Sequence, residues 1–474
     1  MAEADRRAIA AGTAEAVLIE RAGAAVARHA LRMLGGTYGR RVVIVCGKGN
    51  NGADGRVAAT RLQMRGIGVE VFELASTTRV SELMRALARA DLVIDAMFGT
   101  GFRGALEGDA SIIARALQGQ RVLAVDIPSG IDGTTGEARG IAVHAEETIA
   151  FAALKPGLLF EPGRSCAGRV RVADIGFDPG ATNLHVLEAS ELDIRVRAPT
   201  AHKWSAGLLI VGGSTGMIGA PLMAARAAAR SGAGMVVCGL PGAQAAARAS
   251  ASEIVTRALP ATDDGALDAD AADVVAKDAE RFHAVVIGPG LGRDERTQNA
   301  VQRIVAECPV PLVIDADALN ALAIDPAPLA ARHSAGLAPA VLTPHAGEFA
   351  RLAGESVGMD RVESARMLAA RTHAIVVLKG PGTVIAAPTG EAFVNRTDSP
   401  ALATAGTGDV LSGIIGGLVA SGVAALRAAA SGVYIHGRAA AAAHTGSELV
   451  ATDLIEALPS TLEALRAGSD PWED

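Results

Sequence analysis

Two stretches of this sequence carry residue types and spacings suited to chemistry on phosphorylated small molecules. The first is Gly47-Lys48-Gly49-Asn50-Asn51-Gly52-Ala53-Asp54, directly after the β-branched run Arg41–Cys46. Its glycines satisfy the G-x-G-x-x-G spacing of a dinucleotide-binding turn, and Glu73 ends the next apolar run where a ribose-binding acid would lie. A bare strand-to-helix turn would also account for the glycines. Asn50, Asn51 and Asp54 add side-chain oxygens and amides that such a turn lacks, so the loop could hold a ribose, a phosphate or a hard cation. The second stretch is Ala405-Gly406-Thr407-Gly408-Asp409, which opens a long apolar run. Small residues there let backbone N–H groups approach an anion at a helix N-terminus. Asp409 is then placed beside a bound phosphate as a base for a hydroxyl nucleophile, the logic of kinases that phosphorylate alcohols.

Other acids and lysines stand at the ends of apolar runs. Asp95 follows Leu92–Ile94, Asp126 and Ser129 follow Val122–Val125, and Lys155 follows Thr148–Ala152. Each acid alone reads as a cap or turn former; together they read as one site. In the second half, Gly290, Asp315, Asp317, His345 and Lys379-Gly380-Pro381-Gly382-Thr383 stand at similar ends, the last suited to cradle nucleotide phosphate or ribose. Asp315 and Asp317 divide evenly between capping and site roles. Only five of the 44 basic residues are lysines, which suggests that Lys48, Lys155 and Lys379 persist where a compact charge is needed.

The elements that must position these groups are short β-branched runs alternating with Ala/Leu/Arg-rich helical stretches along all 474 residues. That alternation predicts an α/β protein with mainly parallel sheets covered on both faces, in two domains: 1–195 and 196–474. The seventeen-residue run Val410–Leu426 reads as one buried helix, since its four glycines and two serines make a poor membrane span. A net charge of −7 and 3% aromatic residues argue against a nucleic-acid partner. Four scattered cysteines, without metal spacing, and no basic-then-apolar leader point to a cytoplasmic setting, with no membrane partner. Self-association as a homo-oligomer is expected.

The loop 47–55, with 95–101, 125–133 and 155–159, resembles the NAD(P)H-hydrate epimerase domain. The resemblance implies a Rossmann-like three-layer fold in which Asn50, Asn51, Gly52, Ala53 and Asp54 bind the hydrated nucleotide together with Gly99, Thr100, Gly101, Phe102, Arg103, Gly104 and Ala105. It further implies K+ held by Asn51, Asp95 and Ser129, with Asp126 on the substrate. On that footing Asp126 would shuttle a proton and Lys155 orient or polarise it while the carbinolamine opens and re-closes. Ala53 departs from the pattern's usual glycine.

From about Ala198 onward the residues are similar to the ribokinase-like ADP-dependent NAD(P)H-hydrate dehydratase domain, through 202–207, 288–292, 315–319, 342–348, 378–380, 405–413 and His436-Gly437. The resemblance implies that Ala220, Gly290, His345 and Asp409 contact the hydrate, and that Lys379, Gly380, Pro381, Gly382, Thr383 and Gly408 contact the adenine nucleotide. Mg2+ and ADP as co-substrate follow from it, with NADHX and NADPHX as small-molecule partners. The reaction implied is phosphorylation of the hydroxyl by ADP followed by loss of phosphate. The stretch 395–400 lacks the usual glycine of its loop. A small-molecule kinase fused to a nucleotide-binding domain is the alternative; an NAD-dependent dehydrogenase lacks an evident hydride-transfer partner.

Overall fold

The computed structural model describes residues 6–7, 9–10, 12–74, 80–176, 178, 180–248, 253–397, 399–443 and 446–468. They fall into two compact units, Met1–Thr182 and Asn183–Asp474. Both are α/β, as the alternation predicts.

The first unit is built on strands β1 (Arg41–Cys46), β2 (Gly68–Glu73), β3 (Leu92–Ala96), β4 (Val122–Val125), β5 (Glu147–Phe151) and β6 (Arg169–Ala173). They form one parallel sheet in the order β2-β1-β3-β4-β5-β6. Side chains alternate across a strand, so β1 sends Val42, Ile44 and Cys46 into one core and Val43 and Val45 into another. The Glu15–Leu34 and Asn50–Gln63 helices cover the first face; Val80–Leu87 and Gly108–Ala116 cover the second. Three layers result. The strand order reverses between β1 and β3, which opens a crevice at their carboxyl ends.

The second unit has ten strands: β7 (Leu184–Val186), β8 (Gly207–Val211), β9 (Met235–Pro241), β10 (Val255–Leu259), β11 (Ala284–Ile287), β12 (Leu312–Ile314), β13 (Val341–Leu342), β14 (Ile375–Leu378), β15 (Val384–Ala386) and β16 (Ala392–Val394). Their order is β10-β9-β8-β11-β12-β13-β14-β15-β16-β7, antiparallel only where β15 pairs with β14 and β16. Here the order reverses between β8 and β11.

Three features differ from the sequence reading. β7, β10 and β16 are short or partly exposed and carry no sustained apolar run, so their pairing is tertiary. β7 pairs with β16, so residues 183–195 belong with the second unit and the junction lies nearer 182/183 than 195/196. The Val410–Leu426 run is two helices: Thr407–Ala420 stops where Gly422 adopts φ 89° and donates to Val419 O, and a new helix runs Ala425–Ala442. The first of these is buried nearly all round. Gly413 permits it, since a Cβ there would lie 2.1 Å from Ala224 O on the crossing helix Gly219–Arg230. No described helix is long and apolar enough to cross a membrane.

Candidate active sites

In the first unit the loops after β1 and β3, with Asp126 after β4, Phe151 at the end of β5 and the start of the Glu15–Leu34 helix, line an open cavity of about 1110 Å³. Asn50, Asn51, Asp54, Gly99, Thr100, Gly101, Phe102, Arg103, Ala105 and Asp126 all line it, so most residues expected on the hydrated nucleotide come together. Gly52, Ala53 and Gly104 are not among its lining residues. Gly52 instead packs the loop: a Cβ there would lie 1.8 Å from Gly47 O, and one on Gly47 would lie 1.9 Å from Met97 O. Gly49, by contrast, leaves open space towards the cavity at the start of the Asn50–Gln63 helix. Arg103 is tied back to the Thr100 and Phe102 carbonyls and to Asp132, which stiffens its loop. Arg56 holds both Glu73 oxygens, at 2.8 and 3.1 Å, so the acid that a dinucleotide fingerprint would give to ribose is bound to a guanidinium.

Asp126, which lines the cavity, forms an ion pair with the buried Lys155. Asp126 takes a left-handed backbone, φ 65°, which aims its carboxylate back over β5, where Phe151 N donates to it at 3.4 Å. Lys155 is 3% exposed and also donates to Phe151 O at 2.8 Å. The two groups are thus held on one strand end, with Asp126 open to the cavity.

Behind the β3 loop, Asp95 is fully buried and accepts from Ser129 N (2.8 Å), Ser129 Oγ (2.7 Å) and Met97 N (3.2 Å). Burial outweighs those donors and pushes its pKa up to about 6. Phe98 N donates to Ser129 Oγ, and Asn51 Nδ2 donates to Phe98 O at 2.9 Å. Asn51, Asp95 and Ser129 are therefore linked through one turn of backbone. The three groups that contact Asp95 are all neutral hydrogen-bond donors.

In the second unit the ends of β8, β11, β12, β13 and β14 face the N-terminus of the Thr407–Ala420 helix. Lys379 Nζ lies 2.9 Å from Asp315 Oδ1 and 3.8 Å from Glu348 Oε2, and a Cβ on Gly408 would lie 3.5 Å from it. Burial works to lower the Lys379 pKa, but the Asp315 and Glu348 carboxylates more than offset it and hold the ammonium charged. Asp409 sits in the first helical turn. Burial, then the neighbouring Asp315 charge, pushes its pKa up to about 7, against the pull of Lys379. A carboxyl there is poised to take a proton near neutrality.

The remaining expected residues lie on the segments after β8, β11, β13 and β14. Gly290 stands with a built Cβ 3.4 Å from Ala220 Cβ, and Ser214 Oγ donates to Gly290 O at 2.9 Å. Asp317 accepts from Gly292 N at 2.9 Å and from Asn320, so it orders the Gly290 loop, whereas Asp315 makes no capping bond and belongs to the site. His345 caps the Ala346–Ala353 helix through Nδ1, with Nε2 3.4 Å from Glu348 Oε1. Gly380, Pro381, Gly382 and Thr383 form the turn from β14 to β15, where Thr383 Oγ1 donates to Gly380 O. Among the described residues no three His, Cys, Asp or Glu side chains converge as a metal cage. Asp398, within the departing 395–400 stretch, lies outside the described residues.

Glu348 is the site residue that sequence reasoning did not single out. It is buried between His345 and Lys379, accepts from His345 N at 2.9 Å, and has a raised pKa, chiefly from burial. Its signal was local: a glutamate three residues after the capping His345.

Both units match known proteins. Residues 208–460 match the family model described as NAD(P)H-hydrate dehydratase, and 15–89 and 73–157 match the YjeF-related protein N-terminus. The bifunctional NAD(P)H-hydrate repair enzyme Nnr of Moorella thermoacetica is 41% identical, over 95% of this chain and 92% of that protein. Its counterpart from Salinibacter ruber is 39% identical, over 93% and 91%. A crystal structure of a hypothetical protein from Streptococcus mutans, 23% identical, covers 59% of this chain and 99% of its own with a TM-score of 0.50; that likeness speaks to fold alone.

Proposed function

The chain belongs to the bifunctional NAD(P)H-hydrate repair enzymes, and from that premise we propose how its two strand-end sites divide the work. It joins an epimerase domain to a dehydratase domain of the family. The substrates are the two epimers of hydrated NAD(P)H.

In the first unit, we infer that the hydrate lies in the 1110 Å³ cavity against Asn50–Asp54 and Gly99–Ala105, its carbinolamine carbon towards Asp126. If the C–N bond opens, Asp126 moves the hydroxyl proton to the ring nitrogen and back as the ring re-closes on the other face. If the C–O bond breaks instead, protonated Asp126 gives its proton to the departing hydroxyl, which leaves as water, and takes one from the water that re-adds. Lys155 orients Asp126 through their ion pair. Asn51, Asp95 and Ser129 would hold K+. When bound, the ion would offset the buried charge of Asp95 beside the Phe98 turn that Asn51 and Ser129 hold.

In the second unit, Lys379, Gly380–Thr383 and Gly408 would bind ADP, and Ala220, Gly290 and His345 the hydrate. Asp409 removes the proton of the substrate hydroxyl, whose oxygen bonds to the β-phosphorus of ADP as AMP leaves. The ring nitrogen then expels phosphate, giving NAD(P)H, AMP and phosphate. First-turn N–H groups and Lys379 stabilise the charge on the transferring group. Mg2+ supplies further charge neutralisation on the diphosphate. The observation that carries this reading is Asp409, with a pKa near 7, beside Lys379 at a glycine-opened helix N-terminus.

The test is a mixture of both hydrate epimers with K+ and Mg2+, following the return of dihydronicotinamide absorbance with ADP, with ATP and with neither. Full recovery with ADP, faster than spontaneous epimerisation, is expected. Recovery of one epimer's share followed by a slow phase would remove the first-unit assignment; equal recovery with ATP would remove the preference for ADP. Net charge −7 and buried thiols support a cytoplasmic setting without nucleic-acid or membrane partners. Homo-oligomeric association is part of the proposal and is read by light scattering.

A further inference from the structure

We propose that His436 is a positioning residue of the second site: its imidazole holds the Thr407 carbonyl so that the adjoining Gly408 N–H stays aimed at the transferring phosphate. This rests on the reading of the Thr407–Ala420 helix as the phosphate-transfer site.

His436 lies in the Ala425–Ala442 helix, 8% exposed, with Nε2 2.9 Å from Thr407 O. Because a carbonyl only accepts, Nε2 carries the proton. Burial, with Lys379 acting in the same direction, lowers the His436 pKa to about 4, so the ring is a neutral donor at working pH. A cation in its place would compete with Lys379 for the field at Asp409.

The peptide unit explains why this contact matters. Thr407 C=O and Gly408 N–H belong to one plane and point in opposite directions, so fixing the oxygen fixes the N–H. That N–H is one of the first-turn donors with no partner inside the helix, and it is available to an anion. Thr407 is held from the other side as well: its Oγ1 lies 2.8 Å from both Leu402 O and Thr404 O, which share its one O–H, and Gly406 enters with φ 88°. Gly437, next to His436, lets its helix approach closely, because a Cβ there would lie 2.1 Å from Thr397 O. Thr397 Oγ1 in turn donates to Tyr434 O at 3.2 Å. One helix thus backs both the anion-binding turn and the loop that departs from the family pattern.

The experiment compares His436→Phe, His436→Ala and His436→Gln with the native protein, measuring dehydration and epimerisation on the same preparations and thermal unfolding of each. The expected result is a dehydratase kcat lowered about 10- to 100-fold in the Phe and Ala variants, with KM for ADP changed far less. Gln, which keeps a neutral N–H donor, recovers part of the loss, and epimerisation is unchanged in all three. The rising limb of the dehydratase pH profile near neutrality persists. A folded His436→Phe protein with native kcat overturns the proposal, as does equal impairment of the Gln and Phe variants, which would mean that volume alone matters. Loss of the pH limb would also overturn it, since His436 would then be titrating. Asp409→Asn, assayed in parallel, separates the two ideas: if it retains dehydration, the reading of the site itself falls.

Discussion

Asp95 and Asp409 are both carboxyls whose pKa burial raises, yet their surroundings assign them different work. Asp95 is walled in by neutral donors, while Asp409 shares its space with Lys379 and other acids. For an acid with a raised folded pKa, the folded state binds the extra proton. Stability is therefore greatest below the unfolded pKa, near 4, and falls as pH rises towards about 7. Asp409→Asn removes that penalty, so the second unit of the variant should melt higher than the native protein at pH 8, the gap closing at pH 4 to 5. The same variant should lose about 10²- to 10⁴-fold in dehydration while epimerising normally. Native dehydration should rise with pH through about 7, a limb absent from the residual rate of the variant. Asp95→Asn should abolish any stimulation of epimerisation by K+ over Li+; a variant that keeps the full K+ response would remove Asp95 from the ion site.

At the scale of elements, glycines separate into those that pack and those that face a ligand. Gly47 allows the β1 loop to lie against Met97 O, and Gly413 allows two helices to cross. Gly47→Ala or Gly413→Ala places a methyl within 2.1 Å of a carbonyl oxygen and should cost more than about 2 kcal/mol, read by urea unfolding of the affected unit. Gly49→Ala meets nothing within 4 Å, so the unit should fold with native stability. Its methyl occupies cavity space, and the KM for epimerisation should rise with kcat little changed. A destabilised Gly49→Ala protein would mean that Gly49 belongs with the packing glycines.

For the whole molecule, the contacts divide at 182/183, which places residues 183–195 with the second unit. Besides β7, residues 183–195 contribute Asn183, held by Arg366, and Asp193, whose N–H donates to Ser431. A fragment spanning 183–474 should keep ADP-dependent dehydration of one epimer. A fragment spanning 196–474 exposes the edge of β16 and should melt several degrees lower. Adding the 1–182 fragment to the former should restore conversion of both epimers. Equal melting of the two longer fragments would show that the β7 segment is dispensable.

The sequence by itself determined the alternation of strands and helices, and with it the placement of Asp95, Asp126, Lys155, Asp315, Lys379 and Asp409 at strand ends or a helix start. These are local facts: a β-branched run followed by glycine and a polar residue can be read within ten residues. Tertiary structure decided which of those ends are neighbours. Lys379 meets Asp315 across 64 positions, Asp95 accepts from Ser129 across 34, and Glu348 joins the site because β13 lies beside β14. It also decided that β7 closes the second sheet, although it precedes every other strand of that sheet in the chain. Strand order comes from the packing of helices on both faces, a non-local balance of buried area, and no short stretch of residues encodes it. The shifted pKa values of Asp95 and Asp409 follow from the same cause, since burial and neighbouring charge exist only once the strands are in place.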